Sequence, residues 1–171
     1  YDMWVGVLLI SFIKLLMTFP VVVDGGSMIP TLYSDEVIYV NAFDVKFSDI
    51  NRGDIVVFTM PGVGAEDYYY LKRVIGVSGD EVVVKEGKIY LNGELLSEPY
   101  LRPGETTQIP DVAGGFLVGG VTMTSDGKGF VYNVPVGKYF VLGDNRENSI
   151  DSRSFVDVYV SGKDIKGKFT I

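Results

Sequence analysis

Ser27 sits in the run Gly25-Gly26-Ser27-Met28-Ile29-Pro30-Thr31-Leu32. Two glycines there lead the backbone into a serine that is either a turn residue or a nucleophile. The chain contains no histidine and no cysteine. Ser-His-Asp chemistry, a thiolate nucleophile, a disulfide framework and His- or Cys-ligated metal are therefore excluded by inventory. A nucleophilic serine in this chain must give its proton to a carboxylate or an amine. One amine has a fitting setting. In DYYYLKRVIGVSGD, Asp67 to Asp80, an extended backbone places Tyr68, Tyr70, Lys72 and Val74 on one face and Tyr69, Leu71, Arg73 and Ile75 on the other. Both faces are apolar around a single cation, the pattern of a strand covered on both sides. Burial disfavours the ammonium form and lowers the pKa of a lysine, whereas arginine stays protonated. Lys72 is thus the candidate general base, against the competing reading of an edge-strand lysine whose head reaches water.

A third stretch, GDNRENSIDSR from Gly143 to Arg153, follows the apolar KYFVL. Asp144, Asn145, Arg146, Ser149, Asp151 and Arg153 crowd into it. Such density behind a core strand is either a hydrogen-bond network supporting a site or a solvated loop. Asp151 and Arg153, two apart on extended backbone, share a face and can pair bidentately.

The elements that must position these residues are mostly strands. Segments rich in Val, Ile, Tyr and Phe, bounded by Gly, Asp, Asn and Pro, predict strands at Val21 to Asp24, Glu36 to Asn41, Ile55 to Met60, Tyr68 to Val77, Glu81 to Val84, Lys88 to Leu91, Phe130 to Val134 and Lys138 to Leu142. KIYLNGELL reads as a hairpin turned at Asn92-Gly93 in type I′ geometry. Arg102 to Gly129 has many glycines and little periodicity, and reads as loops and weak strands within an insertion. The 171 residues suggest one domain, or one domain with an insertion. A net charge of −7 with no basic stripe argues against a nucleic-acid partner. Before Pro20, the run Trp4 to Val23 is apolar apart from Lys14 and is about as long as a membrane span of ~20 residues. The expectation is an anchor over residues 1–20, with part of it missing ahead of Tyr1, and a β domain over residues 21–171. A buried core helix and a cleaved secretory signal are the alternatives.

Three of these segments, in this order, closely resemble the sequence boxes of the bacterial type I signal peptidases: GGSMIPTL, YLKRVIGVSGDEV and VLGDNRENSIDSR. GDIVVF and IYLNGELLSEPYL are also similar to the family. The resemblance covers most of the chain from Pro20 onward. It implies a mainly β fold: an antiparallel catalytic core of signal-peptidase type, a smaller β subdomain inserted at about residues 80–137, and a preceding membrane-anchor helix. It implies a membrane-bound serine endopeptidase with Ser27 as nucleophile and neutral Lys72 as base. Ser149 would hydrogen-bond and orient the amine. Asp151 and Arg153 would support the dyad, and Asp144, Asn145 and Arg146 would shape the same loop. By residue-for-residue match, Val21, Val23, Met28, Leu32, Tyr70 and Leu71 would line shallow apolar pockets. The implied partners are preprotein signal peptides with small residues one and three positions before the cut, together with a phospholipid membrane. The implied place is the cytoplasmic membrane, crossed once, with the catalytic domain outside. No cofactor or metal is implied. The serine hydroxyl that some members place two positions before the nucleophile is absent here, where Gly25 stands.

Overall fold

The structure is a computed structural model that describes residues 2–60, 68–109 and 121–170. The chain runs through α1 (Asp2–Leu16), β1 (Thr18–Val22), β2 (Val37–Asn41), α2 (Ala42–Phe47), β3 (Ile55–Thr59), β4 (Tyr69–Gly76), β5 (Glu81–Lys85), β6 (Lys88–Leu91), β7 (Glu94–Leu95), β8 (Val121–Met123), β9 (Gly129–Asn133), β10 (Lys138–Leu142), β11 (Val160–Ser161), a 3-10 turn (Gly162–Asp164) and β12 (Ile165–Phe169). Two sheets result. One has seven strands in the order β1-β2-β12-β3-β4-β10-β11, and the other has five in the order β7-β6-β5-β9-β8. The described pairings are antiparallel, including β3 with β4 and β4 with β10.

The expected strands form, with ends shifted by a few residues. Asn92 and Gly93 take φ of 51° and 85°, as a type I′ turn between β6 and β7 requires. The short helix α2 was not anticipated. Asn41 caps it, its Oδ1 accepting from the Phe43 and Asp44 amides at 2.8 and 3.2 Å. Strand β12, IKGKF, was also missed, because two lysines and a glycine in five residues mask its alternation. It slots between β2 and β3 and so joins the two halves of the first sheet.

The interior position of β4 explains its two-faced pattern. Val56 of β3 lies beside Lys72, and Ile55 and Leu142 flank Arg73 from either side. From Lys72 to Gly76 every residue of β4 is buried. Among the described residues the core gathers into three apolar clusters. Val23, Met28, Leu32, Ile38, Val40, Ile55 and Val57 pack beneath β1 and β2. Val56, Phe58, Val74, Val141 and Phe155 pack around the middle of the sheet. Ile75, Phe140 and Leu142 of the first sheet meet Val82, Val84, Ile89, Phe130 and Tyr132 of the second.

The N-terminal expectation needs correction. The apolar run does not form one helix of about twenty residues. α1 ends at Leu16, and Thr18–Val22 is extended and paired with β2, with Phe19 opposite Val40 and Val21 opposite Ile38. The cause is local. Pro20 cannot continue a helix, and the β-branched and aromatic residues around it favour a strand. As an edge strand β1 tolerates the proline. No helix among the described residues is long and apolar enough to cross a membrane. Lys14 is placed by the β domain: its Nζ lies 2.7 Å from Asp44 Oδ1 and over the Phe43 ring. Its carbonyl accepts from Thr18 Oγ1 and Asn41 Nδ2. Along α1, Trp4, Leu8, Phe12 and Leu15 are exposed.

Candidate active site

Ser27 lies in the turn that follows β1, just after Gly25, whose φ of +82° an L side chain would resist. Lys72 lies on β4. These residues are 45 apart in sequence, and Lys72 Nζ donates to Ser27 Oγ at 2.8 Å and to the Leu71 carbonyl at 2.9 Å. The lysine is 4% exposed. Burial pulls its pKa from the ordinary 10.5 down to about 8, and the negative charges of Asp151 and Asp144 only partly oppose that shift. An amine in that range is neutral over much of the mildly alkaline region, and a neutral amine can accept a proton from the serine hydroxyl.

The Gly143–Arg153 loop closes over this pair from β10. Its Asn145 binds the backbone of the Ser27 turn twice, the amide donating to the Ser27 carbonyl at 3.0 Å and Nδ2 to the Gly26 carbonyl at 2.9 Å. Loop and turn approach so closely at Gly143 that a Cβ there would fall 2.5 Å from the Ser27 carbonyl oxygen and 2.2 Å from Ser149 Oγ. Only glycine fits. Asp144 takes Arg73 side-on, from Nε at 2.8 Å and NH2 at 2.6 Å, and also accepts from Thr31 Oγ1. Asp151 takes Arg153 in the same way, with Nε and NH2 both at 2.8 Å, and accepts the Gly143 amide at 3.1 Å. The bidentate Asp151–Arg153 pair is thus formed, but in a turn and not on the extended backbone from which it was expected. Both aspartates are fully buried, which is tolerable because each carboxylate oxygen meets a donor. Arg146 is equally buried, and its partners lie in the segment after β7.

Ser149 borders the same cleft, but the expected hydrogen bond to the lysine amine is not formed. Its Oγ is buried without a partner among the described residues, while the amine is taken by Ser27 and Leu71.

The site opens into a cleft of about 840 Å³. Of the residues expected to line substrate pockets, Val21, Val23, Met28, Tyr70 and Leu71 border this cleft, together with Ser27, Lys72 and Ser149. Leu32 does not. It packs in the cluster behind the cleft with Val23 and Ile38, because the turn after Pro30 sends it inward. Phe19, Pro20, Val22, Tyr68, Tyr69, Glu147 and Ile150 also line the cleft and were not singled out from sequence. For Phe19 and Pro20 the signal was hidden by assigning them to an anchor. Pro20 among β-branched and aromatic neighbours could have revealed it, since it cannot continue a helix.

Comparison with known proteins agrees with this arrangement. The family model described as signal peptidase, peptidase S26, matches residues 2–171. A signal peptidase I from Bacillus amyloliquefaciens is 41% identical over 163 residues, covering 95% of this chain and 80% of that protein. Signal peptidase I S from Bacillus subtilis (strain 168) is 38% identical over the same shares. The crystal structure of a signal peptidase I from Enterococcus faecalis superposes with a TM-score of 0.51 at 30% identity, covering 72% of this chain and 98% of that one. With the serine and the buried amine in one cleft, and the match running the length of the chain, the protein belongs to the signal peptidase family, peptidase S26, as a signal peptidase I enzyme that removes signal peptides.

Proposed function

We propose that this chain is a Ser–Lys endopeptidase acting at a membrane surface, with Ser27 as nucleophile and neutral Lys72 as general base. The observation that carries it is a buried lysine amine 2.8 Å from a serine hydroxyl at the floor of a cleft, in a chain without histidine. The amine takes the Ser27 proton as Oγ attacks the scissile carbonyl carbon. The resulting ammonium gives that proton to the departing amine, which leaves an acyl-enzyme. Lys72, neutral again, then takes a proton from the water that attacks the ester and returns it to Ser27 Oγ as the ester C–O bond breaks and the acid product leaves. The Ser27 N–H is the oxyanion donor at hand. Gly25 has no side chain to add a second, so a neighbouring amide or a water completes the hole.

The substrate is an extended signal peptide lying along the outer edge of β1, which has no strand partner on that side among the described residues. Val21, Val23, Met28, Tyr70 and Leu71 leave room for small side chains one and three positions before the cut. Ser149 acts once the amine is charged. Its unpaired hydroxyl then supplies an acceptor that steadies the ammonium. Attachment to the cytoplasmic membrane, with the β domain on its outer face, rests on α1. The exposed Trp4, Leu8, Phe12 and Leu15 make an apolar surface suited to lipid. The 15 residues of α1 alone reach about 22 Å, against ~30 Å of hydrocarbon. Its end is tied to α2 through Lys14 and Asp44, which keeps the cleft close to the lipid surface.

The test is cleavage of a preprotein carrying alanine one and three positions before the cut. Ser27→Ala and Lys72→Ala each abolish it. Full activity in either folded variant refutes the assigned pair.

A further inference from the structure

The segment from Glu98 to Gln108 carries no regular secondary structure, yet it contacts all three arginines of the site's polar network. Tyr100 stacks on Arg73, with the guanidinium carbon 4.0 Å from the ring centroid. Gln108 gives its carbonyl to Arg153 NH1 at 2.9 Å. Arg146 is held most fully. Glu98 grips its guanidinium through NH2 at 2.6 Å and NH1 at 3.2 Å, Thr107 Oγ1 accepts from NH1 at 2.6 Å, and Glu105 accepts its backbone amide at 2.7 Å. The Arg146 side chain has no exposed surface, and that of Glu98 is 11% exposed. Tyr100 in turn donates its hydroxyl to Glu98 at 2.8 Å. The second sheet thus sends a strap across the back of the catalytic loop.

Every link from the strap to the nucleophile is a direct contact. Arg146 Nε donates to the Gly143 carbonyl at 2.9 Å. Gly143 abuts the Ser27 carbonyl, and Asn145, next to Arg146, holds the carbonyls of Gly26 and Ser27. A fully buried guanidinium stays in place only with its carboxylate present. We propose that the strap is a positioning element for catalysis: Glu98 and Thr107, acting through Arg146, set the depth at which the Gly143–Ser149 loop meets Gly26 and Ser27, and so set the alignment of Ser27 with Lys72. This rests on the Ser–Lys reading above. Neither strap residue touches the cleft, so substrate binding is unaffected while the chemical step slows.

The experiment measures cleavage of the same alanine-type preprotein, per folded molecule and well below the melting temperature. Glu98→Gln keeps the shape and removes the charge, and kcat falls about tenfold or more, because small misplacements at the reacting atoms are costly. Thr107→Val loses about threefold, whereas Thr107→Ser, which keeps the acceptor oxygen, stays within about twofold of the parent. KM changes by less than about twofold in all three. Lys85→Ala, on the second sheet but away from the strap, leaves kcat unchanged. Parental kcat in Glu98→Gln overturns the proposal, as does a loss confined to KM or equal losses in Thr107→Val and Thr107→Ser. If Glu98→Gln does not fold, the Thr107 pair decides alone. Loss of cleavage in Ser27→Ala together with parental kcat in Glu98→Gln leaves the dyad standing and removes only the strap.

Discussion

The two sheets bury different things. At the site, the seven-stranded sheet and its loop bury Lys72, Arg73, Asp144, Arg146 and Asp151. The five-stranded sheet buries Val82, Val84, Ile89, Phe130 and Tyr132 and keeps the ion pairs Lys85–Asp126 and Lys128–Glu86 at the surface. The second arrangement is what a domain adopts when only stability matters, since apolar burial is favourable without geometric conditions. The first is conditional. Each buried charge is stable only while its partners stay in place, and among the described residues Lys72 has no carboxylate in hydrogen-bond contact. Its amine donates there to a hydroxyl and a carbonyl. The lowered pKa that the proposed base chemistry needs is also a folding cost.

The most severe way to break this contrast is Lys72→Arg, which keeps the positive charge but cannot give up its proton. Cleavage falls by about a thousandfold or more, measured by preprotein processing with folding checked by circular dichroism. Retained cleavage would end the idea that a neutral amine is needed.

Next come two deletions, one in each sheet. Asp144→Ala strands the buried Arg73 guanidinium and costs about 3–5 kcal/mol in urea unfolding, with most activity lost as well. Ile89→Ala opens a cavity in the second sheet at a cost of about 2–5 kcal/mol, but the folded enzyme keeps its kcat. If both lowered kcat alike, the sheets would not differ in kind.

A smaller effect has the opposite sign. Lys72 binds its proton less tightly folded than unfolded, so its charged form opposes folding at pH values below about 8. That penalty fades as pH rises from about 8 towards 10.5. Lys72→Met is therefore inactive yet more stable at pH 7, by about 1–3 kcal/mol in urea unfolding, and the gain shrinks by pH 10. In the parent enzyme kcat/KM rises with pH through about 8 as the free amine loses its proton. A gain that did not change with pH would show packing, not charge, to be its cause.

The smallest effect is that of Asp126→Ala. The pair it breaks is exposed, and the same preprotein assay shows no change in rate.

Much of the fold could be read locally. The β segments around β2 to β6, β9 and β10 announce themselves by β-branched and aromatic residues between turn formers, and Asn92-Gly93 by its turn chemistry. Reading failed where a local rule was overruled or diluted. An apolar run looked like one span because hydropathy does not distinguish a helix followed by an edge strand from one long helix, and Pro20 marked the division. Leu32 matched a lining position by its place in the motif, but it points into the core. The strap could not be found from spacing, since Glu98 and Tyr100 fall in a segment marked only by its likeness to the family, Thr107 in one with little periodicity, and their partners lie 27 to 48 residues away.

By itself the sequence determined which chemistry was possible. Without histidine or cysteine the serine needs an amine or a carboxylate, and only Lys72 stood on a strand apolar on both faces. It also determined the family, through three boxes in order; the Asp151–Arg153 pair was expected too, but on extended backbone, whereas the two residues meet in a turn where the Arg153 amide also donates to Asp151. Tertiary structure alone decided which groups meet: Lys72 with Ser27, Asn145 with Gly26, and Glu98 with Arg146. Strand and turn preferences act over a few residues, whereas these contacts depend on the order of strands in the sheet and on how closely Gly143 lets the loop approach the turn.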